Sequence, residues 1–341
     1  MPKNLKAFLK TPVFCVLVSV LATLLGVETI SAFLLFLDAK RNHVTIEYTK
    51  QLFESDKVLG YKLMPNVVVH SIARKNSRVI YNVTYTTDAY GRRMTPIERA
   101  AFRDHYLLFF GCSLTFGVGV NDNETLPFYV ARLAPRYFPY NYGLGGAGPQ
   151  QMLAKLEGES IVNEIHEKSG ILIYPFINFH VNRAIGSTVL IYKWRGNPLP
   201  YYTLKGGQLV RRGNFGSGRP WLSKWYWLLE KSYFLKYFRI SIPKIRDSHI
   251  RLTAKIIEES RNRYREKFGN QEFYVLFYPG SDKYASLLKP YLDKAKVKYL
   301  DYSNWIIKSN EPLWLGDRHP TPSAYQAIAE RVVHDLGLST M

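Results

Sequence analysis

The 341-residue chain reads as an α/β protein of three layers (α/β/α), with a parallel sheet of about five strands at its centre. Three observations point there. From His105 onward, short apolar runs alternate with segments of helical spacing, the order that builds a parallel sheet with helices on both faces. The runs are continuous rather than alternating, as in strands buried on both sides. The first two end in Gly111-Cys112-Ser113 and Gly145-Gly146-Ala147-Gly148, small residues at the edge where open α/β sheets hold ligands.

The first element lies ahead of that pattern. Lys3, Lys6 and Lys10 precede an apolar run, Val13–Val27, broken only by Ser19 and Thr23; after Glu28 the run resumes over Ile30–Leu37. At about 1.5 Å per residue, Val13–Leu37 is long enough to cross a bilayer. Residues 1–40 are therefore read as a cytoplasmic tip and an uncleaved transmembrane helix. No A-x-A site follows; on the alternative reading, Val13–Val27 is the apolar core of a cleaved signal peptide. The leading lysines favour a cytoplasmic N-terminus. The expected location is a single-pass protein of the inner membrane with its main domain on the periplasmic side. A carboxylate in hydrocarbon is costly, so Glu28 is expected near an interface or paired.

Residues 41–103 read as a linker and a small β extension. Arg41–Asp56 is polar and has room for a helix. Gly60–Arg93 alternates and is rich in Val, Tyr and Thr. It predicts a β-hairpin turning at Lys75-Asn76-Ser77, then a turn at Asp88–Gly91.

Residues 104–341 carry the α/β pattern. Strands are predicted at Tyr106–Phe110, Tyr140–Leu144, Gly170–Ile177, Phe273–Tyr278 and Val297–Leu300. Helices are predicted at Glu124–Leu133, Gln150–Lys168, Asp247–Phe268, Asp282–Lys294 and Pro322–Leu336. The last has Ala324, Ile328, Val332 and Leu336 on one face. An insertion at about 183–246 breaks the alternation. It holds thirteen Lys/Arg against one acid, Glu230, in a chain of net charge +19. Aromatic and basic residues interleave over Trp221–Ile240. That stretch either packs its aromatics on the domain or lies on the membrane, with Trp and Tyr at the headgroups and cations on anionic lipid. No nucleic-acid motif accompanies the charge. Two cysteines, Cys15 and Cys112, exclude a disulfide framework. No His/Cys spacing suits a metal, and no cofactor is expected.

The chemistry-bearing residues sit at the two ends of the α/β region. Ser113 follows the first strand, with Gly117 and Gly119 keeping the next loop free of bulk. Asp317 and His319 occupy a loop just before the last helix. A serine hydroxyl needs a base to become a nucleophile, and the imidazolium that results needs a carboxylate. Cys112 is a rival nucleophile or a small buried side chain.

With these residues in view, the chain resembles the SGNH/GDSL hydrolase superfamily, whose four sequence blocks supply Ser, Gly, Asn and His. The resemblance covers about Asp104–Gly337, apart from the insertion. It implies a flavodoxin-like parallel sheet (the SGNH hydrolase fold). It also implies Ser113 as nucleophile, with Cys112 where Asp is usual, and His319 as base with Asp317 as its partner. The implied oxyanion hole combines the N–H groups of Ser113 and Gly146 with the Asn178 amide; Gly143 is the alternative to Gly146. Two blocks depart from the pattern. The third reads Phe176-Ile177-Asn178-Phe179 instead of Gly-x-Asn-Asp, which leaves His180 or Asn182 as alternative donors. The last has only Arg318 between Asp and His, where two residues are usual; this spacing is similar to that of some exported SGNH-like proteins that acetylate polysaccharides. The implied activity is Ser–His hydrolysis of an acyl ester on a glycan or lipid of the cell envelope. The alternatives are O-acyl transfer to an envelope polysaccharide and an inactive binding module. Membrane contact is expected through residues 13–37 and 221–240.

Overall fold

The computed structural model describes residues 12–190, 198–270 and 272–339; Lys3, Lys6 and Lys10 lie outside the described residues. Helix α1 (Pro12–Asn42) is a single 31-residue element. Its side chains from Val13 to Leu25 are largely exposed, and none of its apolar core window is buried in the protein. A helix that is apolar all round needs an apolar medium. This one has the length and composition of a single-pass membrane anchor or a signal sequence.

Strand β1 (Val44–Tyr48) follows directly, then the pair β2 (Phe53–Asp56) and β3 (Gly60–Leu63). The expected helix-compatible linker over Arg41–Asp56 is therefore extended instead. Val44-Thr45-Ile46 is β-branched, and β1 pairs with β4 (Val68–Lys75), Tyr48 opposite Ser71. Pairing at long range decides this segment. Strands β4 and β5 (Arg78–Thr86) form the expected hairpin. Asn76 and Ser77 both have positive φ (48° and 68°), the conformation that matches a two-residue turn to strand twist.

The main sheet begins with β6 (His105–Gly111). Helices α2 (Ser113–Phe116) and α3 (Leu126–Leu133), then β7 (Tyr137–Gly143), follow. Next come α4 (Pro149–Glu157), α5 (Ser160–Asn163), β8 (Ser169–Phe176) and α6 (Phe179–Ile185). The continuous helix expected over Gln150–Lys168 is thus interrupted: Gly158 leaves helical geometry at φ −71°, ψ 142°. The insertion contributes the hairpin β9 (Pro200–Lys205) and β10 (Gln208–Asn214), and helices α7 (Phe215–Gly218), α8 (Pro220–Leu229) and α9 (Tyr233–Tyr237). The chain closes with α10 (Asp247–Phe268), β11 (Phe273–Phe277), α11 (Asp282–Lys294), β12 (Lys298–Asp301) and α12 (Pro322–Asp335).

The five strands lie in the order β12-β11-β8-β6-β7, every neighbouring pair parallel. This is the expected parallel sheet between helical layers. Side chains of β6 alternate between its two sides. Tyr106, Leu108 and Phe110 pack with Ile250 and Ile257 of α10 and Leu288 of α11. Leu107 and Phe109 pack with Val130 of α3 and Ile328 and Val332 of α12. Both faces are covered, which is why the strand reads as one unbroken apolar run.

Within the insertion, the aromatics divide. Tyr202, Phe215 and Tyr226 are buried in the domain, while Trp221, Trp225, Trp227 and Phe238 are more than half exposed. Glu28 of α1 meets the start of α9. Its carboxylate accepts from Ser232 Oγ (2.5 Å), Tyr233 N (2.7 Å) and Phe234 N (3.3 Å). The one charge in the apolar span is therefore hydrogen-bonded.

Candidate active site

The order of strands places a reversal at β6: the chain moves to β7 on one side, then returns to β8 on the other. In sheets of this order the crevice between the first and third strands, at their carboxyl ends, is the natural ligand site. Ser113 is the first residue after β6 and its turn. Several contacts hold it there. A Cβ on Gly143 would lie 2.1 Å from Phe116 N, so β7 and α2 touch backbone to backbone only because that residue is glycine. Asn141, buried, donates to Thr115 O (3.0 Å) and accepts from Gly143 N (2.9 Å).

Arg93, from the β extension, braces the loop beyond. Its guanidinium is fully buried and donates to Phe116 O (2.7 Å), Gly117 O (2.5 Å) and Val120 O (2.7 Å), with Nε on Asp122 Oδ1 (3.0 Å). It also stacks between Tyr85 and Phe116, 4.5 and 4.6 Å from the ring centroids. Nothing in the local pattern of Gly91-Arg92-Arg93-Met94 distinguishes it from a surface arginine. Cys112 is buried behind the turn, and Ser113, not Cys112, lines the groove that opens there.

Asp317 and His319 line the same groove. His319 Nδ1 is 2.9 Å from Asp317 Oδ2, and His319 N donates to Asp317 Oδ1 (3.1 Å). One intervening residue suffices because Arg318 adopts φ 70°. The turn closes on itself through Arg318 N to Leu315 O (2.8 Å) and Leu315 N to His319 O (2.7 Å). Burial raises the Asp317 carboxyl, but its bonds and attraction to His319 outweigh that and hold it below the usual carboxylate range. A carboxylate accepts, so Nδ1 donates to Asp317, and in the neutral imidazole that a general base requires the lone pair is on Nε2.

The remaining candidates separate by their bonds. Gly146 lines the groove with Ser113 and His319, and its N–H has no protein acceptor among the described residues. Gly143 N is engaged by Asn141. Asn178 donates to Gly280 O (3.1 Å) and accepts from Tyr284 N (3.1 Å), tying the end of β8 to the start of α11. It does not join the groove wall. His180 is fully buried against Tyr174 Oη (2.8 Å), and burial keeps it well below its ordinary pKa. Asn182, one turn along α6, does line the groove; its Oδ1 accepts from Ser241 Oγ (3.0 Å), which leaves its amide N–H groups for a ligand.

No protein-family model matches the sequence, and no curated protein does. Solved structures with some likeness are described as lipolytic proteins and esterases. A member of the lipolytic protein G-D-S-L family from Veillonella parvula is 12% identical over 67% of this chain and 97% of its own, with a TM-score of 0.41. An acetyl xylan esterase from the rumen bacterium Butyrivibrio proteoclasticus is 11% identical over 88% of this chain and 84% of its own, with a TM-score of 0.40. AlinE4, an SGNH-hydrolase family esterase, is 11% identical over 70% and 98%, at 0.32. At these values the likeness carries no inference about chemistry.

Proposed function

We propose that the chain is a Ser–His hydrolase of acyl esters of the SGNH type, held at a membrane by α1. The observation that carries this reading is the pairing of His319 with Asp317 at 2.9 Å in the groove that Ser113 also lines. Ser113 Oγ attacks the ester carbonyl carbon as His319 Nε2 takes its proton. Asp317 holds the ring and stabilises the imidazolium. The N–H groups of Ser113 and Gly146 receive the oxyanion. A side-chain amide completes the hole: the resemblance implies Asn178, but the bonds Asn178 already makes favour Asn182. His319 then protonates the leaving alcohol, and water, activated by the same imidazole, cleaves the acyl-serine.

The groove is about 1860 Å³, above the ~1,000 Å³ upper end of ordinary small-molecule sites. That room, and the one-residue spacing of Asp317 and His319, support a second reading in which a sugar hydroxyl replaces water and the acyl group is transferred. The exposed Trp221, Trp225 and Trp227, with Lys224 and Lys231 over two of those rings, support membrane contact by α8. Turnover of p-nitrophenyl acetate by the purified chain tests the chemistry, and its absence would leave a binding module. Adding glycan acceptors separates transfer from hydrolysis.

A further inference from the structure

The groove that holds Ser113 also reaches the end of the anchor. Asp38 and Asn42, in the last turns of α1, lie on its wall, and so do Leu235 and Lys236 of α9. Helix α9 is the element whose first turn sits on Glu28. Ten residues separate Glu28 from Asp38, about 15 Å of helix rise. The groove therefore opens beside the part of α1 where its apolar run ends, which the membrane reading of α1 puts near the lipid head groups.

Its lining has two characters. Ile46, Phe179, Ile240 and Leu287 are apolar. Arg183, Lys236, Arg239, Lys244, Arg246 and Arg318 are cationic, and none of the six forms an ion pair among the described residues. Three acids share the lining: Asp317, bonded to His319, Asp247, accepting from Tyr291 Oη (2.6 Å), and Asp38, accepting from Asn42 Nδ2 (2.9 Å); they are outnumbered by the cations. An apolar groove with an excess of positive charge, beside the end of the apolar span, complements a ligand with both an acyl chain and an anionic head.

Resting on the ester-hydrolase reading, we infer that the substrate class is an anionic amphiphilic ester, a phosphate-bearing lipid drawn from the leaflet around α1. Its acyl ester reaches Ser113 while its phosphate sits among Arg239, Lys244 and Arg246. The bond cleaved is the carboxylic ester: water supplies the hydroxyl of the released fatty acid, and the lipid alcohol takes the proton from His319.

The full chain carrying Ser113→Ala, in phosphatidylcholine nanodiscs, is titrated calorimetrically with dibutyryl phosphatidylglycerol and with dibutyryl phosphatidylcholine, both soluble as monomers. The anionic lipid should bind roughly tenfold more tightly or better, and Arg239→Gln with Lys244→Gln should bring the ratio near one. Equal affinities would overturn the inference. An O-acetylated polyuronate that binds more tightly than the lipid would overturn it in favour of an acidic glycan. The unsubstituted chain is assayed in parallel with both lipids and p-nitrophenyl acetate. Acetate turnover without preference for the anionic lipid would remove the substrate class and leave the chemistry standing. Preference in binding without any turnover would remove the hydrolase reading, and the groove's role as a substrate site with it.

Discussion

The carboxylate of Glu28 caps a helix 204 residues away, accepting the Ser232 hydroxyl at 2.5 Å and the next two backbone N–H groups. Glu28, Ser31, Ala32 and Leu35 form a less exposed stripe at helical spacing on α1. The contact thus fixes the insertion, and one wall of the groove, to the anchor.

Glu28→Ala should free three donors at once. Loss of a helix cap costs about 0.5–2 kcal/mol, and bonds to a charged acceptor lie at the upper end of such ranges. Amide exchange at Tyr233 and Phe234 should accelerate by about tenfold or more, with Glu28→Gln showing a smaller effect because an acceptor oxygen remains. Unchanged protection in Glu28→Ala would contradict the capping role.

Arg93→Ala should lower the thermal midpoint and the rate together. It strands the carbonyls of Phe116, Gly117 and Val120 in a buried loop, each at a cost of about 1–3 kcal/mol. Arg93→Lys should recover only part, since one ammonium cannot span the four acceptors. Calorimetry checks this; a wild-type midpoint in Arg93→Ala would show that the loop finds other donors.

The two amides on and near α6 should part company. Asn182→Ala should lower kcat by roughly 10²–10³, the scale of one oxyanion donor, with KM little changed. Asn178→Ala should act on stability, because its bonds go to Gly280 and Tyr284. Steady-state kinetics with thermal melts separates them. A kcat loss confined to Asn178→Ala would return the donor to Asn178.

Asp317 links the site to acid stability. Its folded carboxyl titrates below its ordinary value, so its ionised form stabilises the fold above about pH 4. That contribution fades as pH falls through the lower folded value. The difference in melting temperature between wild type and Asp317→Asn should be constant above about pH 5 and close below about pH 4. A gap that persists at low pH would contradict a stabilising carboxylate.

Some of this was legible in the chain itself. Tyr106–Phe110 announces itself because both its faces are covered, so burial leaves an unbroken apolar run. Ser113 was visible as a small residue just past such a run, and His319 as a loop residue just before the last helix. Val44–Tyr48 was not legible as a strand, since its pairing partner begins some twenty residues later and its own pattern is short. Arg93 was hidden for a different reason: arginine is rarely buried, and its acceptors are backbone carbonyls, which leave no trace in side-chain pattern. The bonds that occupy Asn178 come from Gly280 and Tyr284, about a hundred residues on, beyond the reach of any local motif.

A nucleophilic Ser113 activated by His319 can be trapped directly. A fluorophosphonate ester forms a covalent bond to an activated serine with loss of fluoride, and mass spectrometry of the digested protein locates it. Stoichiometric labelling on Ser113 is expected, abolished in Ser113→Ala and slowed by roughly 10²-fold or more in His319→Ala, the scale of a lost general base. An unlabelled protein that is otherwise folded, or an adduct on Cys112, would contradict it.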